Sequence, residues 1–437
     1  LLGLMLGLLS ACTTPGPGAG TGTGSIPSSP QRSTSGATQP SANGHLTTAE
    51  MTAAGSTLAL LDAPAFYWQA FMGHLDIAWR AKPVDKVAQD SAMDARLRGK
   101  LVLAREMRAF ASAELALPNN RSYTTYAHLD RPYVVWNVFA TPPLSTRLQT
   151  WCFPVAGCVG YRGYFRRADA DAFAARLRAQ GLEAYVAGIP AYSTLGWFED
   201  PLLSTFMHYP EAELARLIFH ELAHQVAYAP GDTTFNESYA TAVEEIGVER
   251  WFAKRPDEAA LRAFREQSMR RQNFVALLVR HKAMLQTVYG EAGLDGKGSL
   301  NGTGPKAGDS LRTEEFKRDG KQAVLEGLLR DYEALKLTWG GYSGFDRWFS
   351  EPITNAHLAA VGAYTDLVPA FRVLFSECDQ QLPKFHAAVK RLAALPREAR
   401  DLRMQRWMQI SSGHLSQGGT NGPVLAQELS QGSACGG

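Results

Sequence analysis

Charge of one sign, cysteine and long apolar runs are what this chain has least of. Its 44 Lys and Arg are set against 42 Asp and Glu, a formal net charge of +2 at pH 7, and no long basic run stands out. Nothing in that balance calls for nucleic acid, and the scattered cations read as a solvated surface. Cysteine is scarce, at five residues, and no Cys-x-x-Cys pair offers a zinc knuckle. The apolar stretch Leu1 to Leu9 is too short to cross a bilayer, which takes about 20 apolar residues. No internal repeat is present. What remains is ordinary for a folded protein: 437 residues, 45% hydrophobic and 20% charged, enough for one large domain or two smaller ones.

The apolar start fits the core of a secretion signal whose initiator Met and charged segment are missing, so the sequence is expected to begin inside that signal. Leu9-Ser10-Ala11-Cys12 then matches a bacterial lipobox, with Cys12 as the acylated residue. Residues 13–44 are rich in Gly, Pro, Ser and Thr, with Arg32 the only charge, and lack the apolar surface that would offset ordering entropy. The layout is that of a lipid-tethered envelope protein: signal and lipobox over 1–12, tether over 13–44, a globular domain over 45–411 and a poorly ordered tail over 412–437. Thr13 is not the Asp that signals inner-membrane retention, so the domain is expected to face the periplasm from the outer membrane. In that oxidising compartment Cys152 and Cys158 could pair, while Cys378 and Cys435 are too isolated to assign.

Apolar spacing predicts helices up to about Leu117, one of them spanning Leu97 to Leu115 before the stop at Pro118-Asn119-Asn120. Strands are expected at Tyr133 to Phe139, at Val159 to Phe165 and from Glu183 onward, with an extended continuation through Trp197. A helix over Ala168 to Gln180 is closed by Gly181, and nearly everything beyond Pro210 is helical apart from a Gly-rich loop at Gly293 to Gly308. The fold class is α+β.

His220-Glu221-Leu222-Ala223-His224 carries the chemistry. It lies in a helix expected from Pro210 to about Tyr228, where residues four apart are separated by about 40° and about 6 Å, so both imidazoles can grip one Zn²⁺. Glu221 beside them can take a proton from the attacking water. Leu214, Leu217, Ile218, Leu222 and Ala223 would bury the helix, and a metal-free His-Glu-His cluster there would be costly. A third ligand is expected at Glu237, in the first turn of a following helix capped by Asn236; Glu244 is assigned to orienting a ligand histidine. Tyr192, Ser193, Thr194 and Gly196 are expected in an edge strand that would hold an extended peptide. Glu199 and Asp200, which could meet a substrate amine, read more simply as loop residues.

Two resemblances extend this reading. Asn236-Glu237-Ser238-Tyr239-Ala240 resembles the glutamate helix of aminopeptidase-N-type gluzincins, whose third ligand lies in Asn-Glu-Gly-Phe-Ala, although the connection from His224 is shorter here. Tyr133 to Phe139, Trp151 to Pro154, Tyr161 to Phe165, Ile189 to Trp197, the two helices of the site and Ala363 to Phe371 together resemble a family of bacterial lipoproteins described as predicted aminopeptidases, over about Ala54 to Arg400. The resemblance implies a zincin-like fold: a mainly helical body with a small mixed sheet whose edge strand lines the zinc cleft. It also implies a zinc aminopeptidase acting on peptides, with an endopeptidase or a non-catalytic zinc-stapled lipoprotein as alternatives. Tyr364, ahead of Tyr342 and His357, is the choice for stabilising the oxyanion; His208 reads as a helix-end residue.

Overall fold

Asp94 sets the pattern for the first long helix, because its side chain accepts from the amides of Arg96 and Leu97 and fixes the start of a twenty-residue run. The computed structural model describes residues 63–153, 157–191, 193–255, 257–291, 313–361, 367–413 and 435. Cys12, the tether at 13–44, the Gly-rich loop at 293–308, Tyr192, Tyr364 and most of the C-terminal tail lie outside the described residues.

In chain order the elements are α1 (Ala63–Arg80), β1 (Lys82–Pro83), α2 (Val84–Gln89), α3 (Ala95–Glu114), β2 (Thr125–Ala127), β3 (Val135–Thr141), β4 (Trp151–Phe153), β5 (Gly157–Val159), β6 (Arg162–Tyr164), α4 (Arg167–Ala179), β7 (Glu183–Ile189), β8 (Leu202–Leu203), α5 (Glu211–His224), α6 (Thr233–Lys254), α7 (Glu258–Tyr289), α8 (Glu314–Thr338), a 3-10 turn at Asp346–Phe349, α9 (Asn355–Val361), α10 (Val368–Glu377), α11 (Leu382–Ala393) and α12 (Arg397–Ser411). The protein is mainly helical with small sheets, an α+β architecture. Among the described residues no helix is long and apolar enough to cross a membrane.

Among the described residues strand pairing is divided among three small sheets, where the sequence suggested one. β3, buried along its whole length, lies between β6 and β7 with both pairings antiparallel. A second sheet orders β1, β2 and β8 and is mixed, since β2 runs parallel to β8. β4 and β5 form a hairpin crossed by the Cys152–Cys158 disulfide. Cys378 is joined to Cys435, a pairing that no local spacing announces.

The main core gathers apolar residues from α3, α5, α6, α10, α11 and α12. A second cluster packs α7 against α8 around Phe274, Leu328 and Tyr332, and a third sets α4 on the β3 sheet through Phe173 and Trp136. Gly247 lets α6 approach α5 closely: a Cβ there would stand 2.6 Å from the Phe219 ring. This contact draws together the two helices that carry the functional side chains.

Candidate metal centre

Every residue of α5 except Glu211 is buried. Its apolar stripe faces the main core, and its polar groups must therefore find partners inside the protein. The helix ends at His224 and not near Tyr228, because residues 225–232 turn sharply into α6. The cap of α6 also differs from expectation. Asp232 is the N-cap, accepting from Phe235 N at 3.1 Å, and Glu237 falls in the second turn. Asn236 instead clamps the connection: its Oδ1 accepts from Ala229 N at 2.7 Å and its Nδ2 donates to Ala229 O at 2.9 Å. Asp232 is itself held by Arg400 of α12, through two contacts at 2.8 and 2.9 Å.

This short, braced turn brings His220, His224 and Glu237 together, with ligand atoms all within 4.8 Å of one another. His220 Nε2 stands 3.1 Å from His224 Nε2 and 3.2 Å from Glu237 Oε2, and His224 Nε2 stands 3.6 Å from Glu237 Oε1. On its other side His220 Nδ1 lies 2.8 Å from Glu244 Oε2, so a neutral imidazole that donates there has its lone pair on Nε2. Burial would lower the His220 imidazole, but the hydrogen bonds and charges of Glu237 and Glu244 push it up to about 10. At His224 burial wins over the charges of Glu237 and Glu244 and takes it down to about 4. Burial also works against the Glu237 carboxylate, yet His224 and His220 outweigh it and hold it below the usual range.

Glu221 is the odd member. It is 1% exposed, and its Oε2 has no hydrogen-bond partner; neither has His224 Nδ1. Burial raises the Glu221 carboxyl to about 8, with His220 opposing and Glu237 and Asp200 adding to the rise. A carboxyl so lifted is suited to taking and returning a proton near neutral pH.

The donor set fits a divalent cation. Two imidazole nitrogens and a carboxylate converge on one point, the set that catalytic Zn²⁺ sites use.

Two phenols stand beside this cluster that sequence reasoning did not single out. Tyr228 lies four residues after His224, beside Asn236 and within electrostatic reach of Glu237. Tyr161, held against Phe139 at 5.8 Å, is within electrostatic reach of both Tyr228 and Glu237. The four-residue spacing from His224 could have exposed Tyr228; Tyr161 is the residue just before β6 and has no local signal. Of the earlier candidates, Tyr342 packs with Trp339 and Phe345 in the α7–α8 cluster, and His357 stacks on Tyr185 with Thr354 on its Nδ1. His208 is exposed and rests against Tyr209.

The segment expected to carry the peptide-binding strand turns instead. β7 is an edge strand but stops at Ile189, and no described residue of 190–201 is in a strand. Ser193 and Thr194 are buried and folded onto Asp200, which accepts from Thr194 N at 3.0 Å and from Ser193 Oγ at 3.4 Å. Leu195 and Gly196 take left-handed φ of +55° and +80°, a reversal incompatible with a strand. The turn rests beside Gln225, next to His224, with Trp197 and Phe198 exposed at its tip. Burial raises Asp200 to about 6 against the hydrogen bonds of Thr194 and Ser193.

Residues 65–404 match the family described as Putative aminopeptidase. The chain belongs to this family. Membership indicates peptidase action and a peptide as substrate. No curated protein and no solved structure is matched. The family match takes in the whole of α5 and α6, so the candidate metal-binding group sits inside the family region.

Proposed function

We propose that this chain is a zinc-dependent aminopeptidase with a zincin-like catalytic centre. The observation that carries the reading is the convergence of His220, His224 and Glu237 on one point, with Glu221, whose buried Oε2 has no hydrogen-bond partner, next to it on the first of their two helices. Zn²⁺ held by these three side chains would supply Lewis-acid activation of a water and of the scissile carbonyl. Glu221 takes the proton of the attacking water and delivers it to the leaving amine. Glu244 keeps the Nδ1 proton of His220 occupied, so that Nε2 faces the metal. Tyr228, beside Glu237, is the first choice to donate its O–H to the oxyanion, ahead of Tyr364, which lies outside the described residues. The turn at 193–198, with Trp197 and Phe198 exposed at its tip, would form one wall of the substrate entrance, and the aminopeptidase specificity rests on the family described above.

The same reading places the enzyme in the bacterial envelope, tethered through a lipid on Cys12. It draws support from the cysteines: Cys152–Cys158 and Cys378–Cys435 are paired, as an oxidising compartment permits, and Cys12 is left over for acylation. Incorporation of a palmitate analogue that Cys12→Ser abolishes is the expected result in a bacterial host.

The deciding experiment is metal analysis and peptide cleavage with the native protein and Glu221→Gln. One zinc per chain is expected in both, with free-amino-terminus peptides cleaved by the native protein and activity at least about 100-fold lower in the variant. Undiminished cleavage by Glu221→Gln rules out the mechanism. Cleavage of N-blocked peptides at comparable rates makes the enzyme an endopeptidase.

A further inference from the structure

Three polar residues of α5 share one face. Glu213, Arg216 and His220 fall at spacings of three and four, within an arc of about 60° on a helix of 3.6 residues per turn. The first two are not among the candidate metal ligands, yet they lie in an unbroken buried chain that ends on one. Arg271 of α7 donates to Glu213 at 2.9 and 3.0 Å. Arg216 Nε donates to Glu213 Oε2 at 2.8 Å. An Arg216 terminal nitrogen donates to both oxygens of Glu244, at 3.1 and 3.2 Å. Glu244 Oε2 then accepts from His220 Nδ1 at 2.8 Å. The side chains of Glu213, Arg216 and Glu244 are 8%, 6% and 4% exposed, and Arg271 brings the chain to the surface at 19%.

We propose that Arg216 and Glu213 are positioning residues that set the metal affinity of the centre by fixing Glu244 against Nδ1 of His220. The proposal rests on the metal centre proposed above and goes beyond its ligands. Stability alone does not account for the chain, because well-packed apolar side chains in place of a buried ion network are commonly as stable or more so. Its position accounts for it better. Glu244 has two oxygens and could turn away from His220; the two contacts from Arg216 span both oxygens and leave one orientation. Without that hold the Nδ1 proton loses its acceptor, the imidazole can rotate or carry its proton on Nε2, and the metal-facing lone pair is lost. Glu213 performs the same service one step back, because it engages Nε and so sets the plane of the guanidinium.

The test uses the full chain and Zn²⁺ itself, with affinity read by competition against a chromophoric chelator and folding read by thermal melting of the metal-free protein. Arg216→Met is expected to keep one zinc site but bind at least about 10-fold more weakly, the loss typical of residues that orient a ligand histidine. Arg216→Lys, a point charge without the fork, is expected to recover part of the loss. Arg216→Met that melts like the native protein and binds zinc equally tightly overturns the relay. If Arg216→Met does not fold, Glu213→Gln carries the test, since it leaves Arg216 in the chain but weakens the contact that sets the plane of its guanidinium; unchanged zinc affinity there overturns the proposal as well. A native chain that takes up no zinc overturns the metal centre itself, a result distinct from tight native binding that the variants leave intact.

Discussion

Helices α5 and α8 use the same charged residue types for opposite ends. In α5 the pair Glu213–Arg216 is 2.8 Å apart with side chains 8% and 6% exposed. In α8 the pair Glu314–Arg318 is 3.1 Å apart with side chains 71% and 70% exposed, and among the helix residues only Leu328 and Tyr332 are buried. In sequence both pairs look like intrahelical salt bridges. In the fold one is wrapped in protein and committed to a neighbour that touches His220, while the other trades protein contacts for water at little cost. Burial, and not the pairing, decides what a charge is for. Substitutions on the two sides of this contrast should therefore differ by an order of magnitude in effect.

The largest loss is expected where a buried pair is cut in half. Arg400 reaches Asp232, the N-cap of α6, with side chains 5% and 6% exposed. Arg400→Met strands the carboxylate that both caps α6 and braces the turn from α5, so stability should fall by about 3–5 kcal/mol. Adding Asp232→Asn should restore part of it, because the stranded charge is gone and a capping acceptor stays. Denaturant titration of the two variants measures both; an Arg400→Met loss under about 1 kcal/mol removes Asp232–Arg400 from the committed class.

A comparable effect, in rate and not in stability, is expected at the phenol beside Glu237. Tyr228→Phe should lower kcat by about 100-fold with zinc retained and KM little changed, the size found when one oxyanion donor is removed. Tyr161→Phe is the internal control. If it costs more than Tyr228→Phe, the donor is Tyr161 and the turn residue only supports it.

Between these extremes lies Asp200, a buried carboxyl that pairs with hydroxyls and an amide and with no cation among the described residues. Its folded value of about 6 stands above the ordinary 3.8. As pH rises from about 4 to about 6 the unfolded chain gives up this proton while the folded one keeps it, so the contribution of Asp200 to stability declines through that window and levels off above it. Asp200→Asn has no such decline. Relative to the variant, the native protein should lose on the order of 2–3 kcal/mol between pH 4 and pH 7. Parallel stability curves for the two proteins across that range would show that Asp200 is not desolvated as described.

How much of this could be read from sequence follows the same division. Residues that act through local spacing were legible: the four-residue step from His220 to His224, the helix ended by Gly181 at φ +82°, and the fully buried β3. Glu237 and Glu244 were legible because seven residues return a helix to the same face, although the cap was placed at Asn236 when Asp232 serves; both are good N-caps, and only the length of the turn decides between them. Partners distant in sequence were not legible. Arg216 meets Glu244 across 28 residues and Glu213 meets Arg271 across 58, so Glu213 read as a first-turn acid at the helix start. The segment Ala191 to Trp197 read as a strand from its composition, and left-handed Leu195 and Gly196 overrode that preference.

The smallest effect belongs to α8. Glu314→Ala removes one partner of the exposed pair and should change stability by less than about 0.5 kcal/mol. It is nevertheless the sharpest control for the whole contrast, because Glu314 and Glu213 both sit near the start of a helix and both have an arginine within one turn. Thr313 already caps α8 through Phe316 N at 3.2 Å, so the helix start does not depend on the carboxylate. Denaturant midpoints for Glu314→Ala and Glu213→Ala, taken side by side on the metal-free protein, separate the two roles. A loss above about 1 kcal/mol from Glu314→Ala would mean that exposed helix charges matter here far more than solvent screening allows, and the burial criterion used to pick out Glu213 and Arg216 would lose its force.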